Sequence, residues 1–256
     1  AQPLHDRGCT LEAAVGQVPS DLVAPVLPGG MRVLLAEDNR FNQEMVLEIL
    51  GDLGVIAEVV ENGQEAIQRL GEKDFDLVLM DMMMPEMDGL EATRLIRREG
   101  SRWQSLPVVA LTANAGIEDR DRCLAAGMNE VLTKPFETAD LYRVLKQYAP
   151  EDAVAERLPV EASALPVAAP AAASVPVELP EFPGIDITLL MQRMHGRVQS
   201  CRRLLRLFHD QYIGAEARMR ELFAAGDAET LHRFAHTLKG ASSGLGAERI
   251  RQASAQ

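Results

Sequence analysis

Between Met31 and Tyr148 the chain alternates short apolar runs with amphipathic stretches five times, and that alternation leaves few architectures open. The runs are Arg32 to Ala36, Val55 to Val60, Leu77 to Met80, Val108 to Leu111 and Glu130 to Leu132, each of strand length. Helical patterns follow near Asn39 to Leu53, Gly63 to Gly71, Leu90 to Arg98, Glu118 to Ala126 and Glu137 to Gln147. In the first, Phe41, Met45, Ile49 and Leu53 recur at i+4; in the last, Leu141, Val144, Leu145 and Tyr148 recur at i+3 and i+4, so each helix has a buried stripe. Strand–helix units repeated in this way predict an α/β fold with a doubly wound, five-stranded parallel sheet.

In such a sheet every strand ends on the same edge, so the residues after the strands meet there. Val78-Leu79-Met80 delivers Asp81 to that edge, and Pro85 and Gly89 then force a loop before the next helix. An aspartate in this position most often caps a helix or opens a turn. Here, however, the first run ends in Glu37-Asp38, the fourth in Thr112-Ala113 and the fifth in Thr133-Lys134-Pro135. Three acids, a hydroxyl and an ammonium therefore converge.

Glu37, Asp38 and Asp81 would repel one another unless a cation sits among them: two carboxylates ~4 Å apart cost on the order of 4 kcal/mol at an effective dielectric near 20. An all-oxygen site of this kind suits Mg²⁺, which keeps several waters and pairs with phosphate. Phosphoryl transfer accounts for the other groups, because its transition state spreads charge over three oxygens. Mg²⁺ takes one, Lys134 a second, and the Thr112 hydroxyl with the Ala113 backbone N–H a third. Asp81 is then the nucleophile, and the Met83 carbonyl completes the metal site.

The rest of the chain divides by composition. Residues 1–30, with Pro19, Pro25, Pro28 and Gly29-Gly30, read as a linker trailing from an upstream domain. Residues 150–183, rich in Ala, Val, Pro and Glu without a sustained period, read as an extended tether. From residue 184 the pattern is helical. Cys201, Leu204, Leu205, Phe208, Tyr212, Ala215, Met219 and Leu222 form an apolar seam of bundle type. After Gly226 and an N-cap at Asp227, Leu231, Phe234, Ala235, Leu238, Ala241 and Leu245 face inward, while His232, His236, Lys239, Gly240 and Ser243 occupy the opposite stripe. A further helix starts near Ala247 and is cut off at Gln256. A chain that opens on Ala1 and stops within a helix is expected to be an excised piece of something larger.

The net charge is −12, but its distribution matters more than its sum. Residues 31–149 hold 13 basic against 22 acidic side chains, and residues 184–256 hold 11 against 7. An acidic body with a basic C-terminal part is a poor ligand for nucleic acid, and it is suited to pair with itself or with an acidic partner. Three scattered cysteines fit neither a disulfide framework nor a zinc site, and they suit a reducing cytosol. No run approaches the ~20 apolar residues of a membrane span, so no membrane contact is expected within this chain.

Residues 31–149 resemble the receiver domain of two-component response regulators, a flavodoxin-like fold. Leu35-Ala36-Glu37-Asp38-Asn39 with Asn42-Gln43, and Leu111-Thr112-Ala113-Asn114-Ala115, are most similar to receivers of hybrid sensor kinases. The resemblance implies Glu37 and Asp38 as metal-binding acids, Asp81 as phosphoacceptor, Thr112 and Lys134 as a phosphate-sensing pair, and a cis bond at Lys134-Pro135. It departs at Val131, where the family usually carries an aromatic switch residue. Ala235-His236-Thr237-Leu238-Lys239-Gly240-Ala241 resembles the histidine-phosphotransfer domain. That implies His236 as an exposed phosphoacceptor, Lys239 supplying charge to the phosphoryl group, and Gly240 leaving room for it and for an incoming receiver.

Together these imply a relay: an upstream histidine kinase domain as phosphodonor, Asp81, His236, and a downstream response-regulator receiver. The parent would be a hybrid sensor kinase, which the resemblance allows to be membrane-anchored. No nucleotide-binding glycine loop is present, so this chain cannot itself use ATP. Three other readings compete with the relay. One is a phosphorylation-gated docking module with an inert helical appendage. A second, an aspartate-nucleophile phosphatase, lacks the second acid two residues after Asp81, where Met83 stands. The third, a DNA-binding regulator, lacks a basic recognition helix. Gly240-Ala241-Ser242-Ser243-Gly244 matches a hydrolase elbow only in letters, since a helix rather than a strand precedes it. The i, i+4 pair His232 and His236 has no third ligand for zinc.

Overall fold

A computed structural model describes residues 27, 30–98, 101–113, 116–149, 184–247 and 250. The linkers expected at residues 1–30 and 150–183, and the helix expected after Ala247, fall almost wholly outside the described residues. Leu27 is an exception: it is buried in the core, and its N–H donates to the Leu53 carbonyl at 3.1 Å.

Five strands, β1 (Arg32–Ala36), β2 (Ile56–Val60), β3 (Leu77–Asp81), β4 (Val108–Thr112) and β5 (Glu130–Thr133), form one parallel sheet in the order β2-β1-β3-β4-β5. The helices between and after them are α1 (Arg40–Asp52), α2 (Gly63–Glu72), α3 (Gly89–Arg97), α4 (Ile117–Ala125) and α5 (Thr138–Tyr148). Because side chains alternate along a strand, Val33, Leu35, Leu77 and Leu79 pack under α1 and α5, whereas Leu34, Val78 and Met80 pack under α2, α3 and α4. The first three helices start where the sequence supplies a cap: Asn39, Asn62 and Asp88 each accept from the backbone N–H three residues on. Gly89 is required by space, since a Cβ there would overlap the Asp81 carbonyl where α3 folds back over the end of β3.

The C-terminal part is all helical among the described residues: α6 (Ile187–Arg193), α7 (Val198–Tyr212), α8 (Ala215–Ala225) and α9 (Ala228–Gly244). The apolar seam runs through two helices rather than one. The chain breaks at Gly214, whose φ of 81° is left-handed, so Cys201, Leu204, Phe208 and Tyr212 lie on α7 and Leu222 on α8.

This bundle sits against α1. The i+4 stripe of α1 is buried as expected, but by two different partners. Each i+4 step overshoots a full turn by about 40°, so the stripe winds around the helix. Ile49 and Leu53 enter the sheet core, while Phe41 and Met45 join Leu204, Phe208, Tyr212 and Ala241 in an interdomain core. No helix among the described residues is long and apolar enough to cross a membrane.

Candidate functional site

The edge at the strand C-termini gathers the expected groups. Glu37 follows β1 and is fully buried, its N–H bound to the Val60 carbonyl at 3.0 Å. Its carboxylate accepts from the Asn42 amide at 2.8 Å, and the Gln43 amide donates to its carbonyl at 2.6 Å. Asp81 is 4% exposed. Lys134 is positioned by its N–H donating to the Thr112 carbonyl at 2.6 Å, and the Lys134-Pro135 bond is cis, as the resemblance implies. Its ammonium lies 2.8 Å from Asp81 Oδ2 and also donates to Glu37 Oε2. Thr112 is buried at the end of β4, with Ala113 half-buried after it, and the Met83 N–H points at Asp81 Oδ1 from 3.4 Å.

Burial and the Asp81 charge push Glu37 up to about 8 and Asp38 up to about 6, although Lys134 pulls both down. Burial alone would lower Lys134, yet Asp81 and Glu37 together hold it above its ordinary value. One ammonium is therefore too little positive charge for three acids. Oxygens of Glu37, Asp38 and Asp81 all lie within 4.8 Å of one another, a hard, all-oxygen donor set that fits a divalent cation such as Mg²⁺.

The helical domain covers this edge. His236 was expected to be exposed; it is half-buried, because the face of α9 it shares with Gly240 and Gly244 lies against α1 rather than solvent. Burial lowers its pKa while Asp81 opposes, and Lys134 and Lys239 add to the lowering, so the imidazole lies within the field of Asp81. Lys239 is half-buried one turn on. Of the two glycines on this face, Gly244 makes the tighter approach. A Cβ on it would stand 2.6 Å from Met45 Sδ and 2.9 Å from Phe41 Cε1, whereas at Gly240 the nearest atom would be Asn42 Nδ2 at 3.7 Å.

Three contributors were not singled out from the sequence. Tyr212 reads as part of an apolar seam, yet its hydroxyl accepts from the Asn39 side chain at 2.5 Å, and burial raises its pKa. Arg233, one turn before His236, is close enough to help lower Asp38. Asn42 stands within a sequence motif, but only the fold brings its amide onto Glu37. Only Tyr212 leaves a signal in the sequence, a hydroxyl where a seam calls for apolar residues.

Comparison with known proteins agrees with this geometry. The model of the response regulator receiver domain matches residues 33–146, and that of the Hpt domain matches residues 188–256. The signal transduction histidine-protein kinase BarA of Escherichia coli (strain K12) is 28% identical over 221 residues, covering 86% of this chain and 23% of BarA. The sensor protein GacS of Pseudomonas syringae pv. syringae is 41% identical over 133 residues, covering 51% of this chain and 15% of GacS. The chain thus spans less than a quarter of either relative. Among solved structures, the receiver domain of the sensor histidine kinase PA1611 from Pseudomonas aeruginosa PAO1, with magnesium in its active-site cleft, is 41% identical, with a TM-score of 0.44; the match covers 47% of this chain and 98% of that one. The chain therefore belongs to the two-component phosphorelay proteins, as a receiver domain followed by a histidine-phosphotransfer domain of the kind found in hybrid sensor histidine kinases.

Proposed function

We propose that the receiver accepts a phosphoryl group on Asp81 and hands it to His236 of the same chain, which passes it to the aspartate of a separate receiver. In the first step an Asp81 carboxylate oxygen bonds to phosphorus as the donor's bond to phosphorus breaks. In the second the neutral His236 imidazole attacks, an N–P bond forms, the acyl phosphate O–P bond breaks and Asp81 returns as carboxylate. Lys134 and the Thr112 hydroxyl, with the Ala113 N–H, hold the phosphoryl oxygens, and Lys239 supplies charge on the acceptor side. Glu37, Asp38, Asp81 and the Met83 carbonyl would hold Mg²⁺, which would supply positive charge to the phosphoryl oxygens.

The observation that carries this reading is that the α9 face holding His236 lies against the edge holding Asp81: a Cβ on Gly240, one turn on from His236, would meet Asn42, the amide that fixes Glu37, and the Tyr212 hydroxyl of the same bundle accepts from Asn39. Burial also favours the neutral imidazole, the form with a free lone pair. An inert helical appendage is not favoured, because the residues that would have to be idle are the ones packed over the acid cluster. The phosphodonor is proposed to be a histidine kinase domain and the final acceptor a response-regulator receiver. Intact mass after incubation with a small acyl-phosphate donor and Mg²⁺ tests the entry point. One phosphoryl adduct that disappears in Asp81→Asn is expected, and an unmodified wild-type chain would refute the reading.

A further inference from the structure

The interface between the two domains has two unlike halves. Phe41 and Met45 fill an apolar socket that any side chains of similar size would satisfy. Beside it runs a row of charges. Glu44, Glu48 and Asp52 stand at i, i+4 and i+8 on α1, one per turn of a single face. Facing them from the N-cap of α7, the Arg197 guanidinium grips Asp52 with both Nη atoms, the Nη2 contact measuring 2.6 Å, and reaches Glu48 at 3.3 Å. Arg203 pairs with Glu48 and lies 3.4 Å from Glu44, and the Ser200 hydroxyl donates to Glu48 at 3.1 Å. Rising numbers on α7 meet falling numbers on α1, so the helices run antiparallel and the charges fix their register.

We infer that this row is the address by which the phosphotransfer domain selects a receiver, and that the partners it serves carry acids at three successive turns of the helix after the first strand. The inference rests on the relay reading above and names its partner class. A planar, forked arginine discriminates geometry as well as sign, so a first helix neutral or basic at these turns leaves Arg197 and Arg203 facing no acid or a like charge. Rim charges of this kind govern encounter and choice of partner, while the apolar socket supplies contact area to whichever receiver arrives. The chain's own receiver carries the address, so it occupies the His236 face, and a downstream receiver must present the same stripe to replace it. The wider charge pattern agrees, with the acids concentrated in residues 31–149 and the excess arginines in residues 184–256.

The test uses the full chain in three forms: Arg197→Glu with Arg203→Glu; Glu44→Arg with Glu48→Arg and Asp52→Arg; and all five together. Each is loaded with an acyl-phosphate donor, the rate of transfer from Asp81 to His236 is followed, and small-angle scattering at low salt reports whether the domains stay docked. Either reversal alone should slow transfer at least tenfold and enlarge the particle while Asp81 loads normally. The five-fold swap should bring the rate back to within about threefold of wild type and restore the compact shape. Reversals that leave rate and shape unchanged would overturn the inference, as would a swap as slow and extended as its parents. Should Asp81 never load in wild type, the relay reading falls, and the scattering series still decides whether the charges set docking.

Discussion

Gly240 and Gly244 sit one turn apart on the same face of α9, and substituting each with alanine should give opposite results. An alanine Cβ at 244 would lie 2.9 Å from Phe41 Cε1, about 0.6 Å inside the ~3.5 Å at which carbon atoms attract. Met45 Sδ, at 2.6 Å, can swing aside on a flexible stem. Phe41 cannot, because its ring is fully buried and stands edge-on to Phe208 at 5.8 Å between centroids. Overpacking of this kind costs ~1–3 kcal/mol, or roughly 5- to 150-fold in the docking equilibrium. At 240 the new methyl meets Asn42 at an ordinary 3.7 Å, and alanine adds up to about 1 kcal/mol of helix stability. Gly244→Ala should therefore expand the chain in small-angle scattering and slow transfer from Asp81 to His236 with helical content unchanged. Gly240→Ala should stay docked and melt at a higher temperature. Equal behaviour of the two variants, or a Gly244→Ala chain as compact and as fast as wild type, would refute the docked arrangement.

Tyr212→Phe removes the hydroxyl that accepts from the buried Asn39 amide and strands that donor, which costs about 1–3 kcal/mol; the loss should appear in docking by scattering but not in Asp81 loading. Mg²⁺ affinity, measured by calorimetry, should fall as pH drops from about 8 toward 6, because protons compete with the cation on Glu37 and Asp38. The sign for stability is opposite without metal. Above the ordinary carboxylate range the unfolded chain has lost protons that the folded cluster still holds, so stability declines as pH rises toward about 8. Saturating Mg²⁺ should flatten that slope, and a slope of the same size with and without metal would count against these acids as its site.

The sheet and the acid cluster were legible because both follow from local rules. Short apolar runs such as Val78-Leu79-Met80, alternating five times with amphipathic stretches, read as strands buried on two faces, and a parallel sheet brings their C-terminal residues together. Docking was not legible in the same way. Phe41 and Met45 have the same spacing whether they are covered by the receiver's own sheet or by another domain. Tyr212 looked like core until Asn39 was found 173 positions away in sequence. The stripe holding His236 looked solvent-facing because its histidines, lysine, glycine and serine are polar or small, the composition an interface needs when a phosphoryl group must fit inside it. Charge composition did carry the hint: an acidic body and a basic end suited to pair with each other. It could not say which arginine meets which acid. The break at Gly214 was missed because the apolar residues keep helical spacing across it.

In the proposed relay one chain moves a phosphoryl group from Asp81 to His236. The direct measurement is a time course of intact mass and linkage chemistry after a pulse of acyl-phosphate donor, comparing wild type with His236→Gln. An acyl phosphate is cleaved by alkali, whereas a phosphohistidine survives alkali and is lost in acid. In wild type the adduct should begin alkali-labile and become alkali-stable at constant mass, while in His236→Gln it should remain alkali-labile throughout. An adduct that stays alkali-labile in wild type, or becomes alkali-stable without His236, would contradict the account.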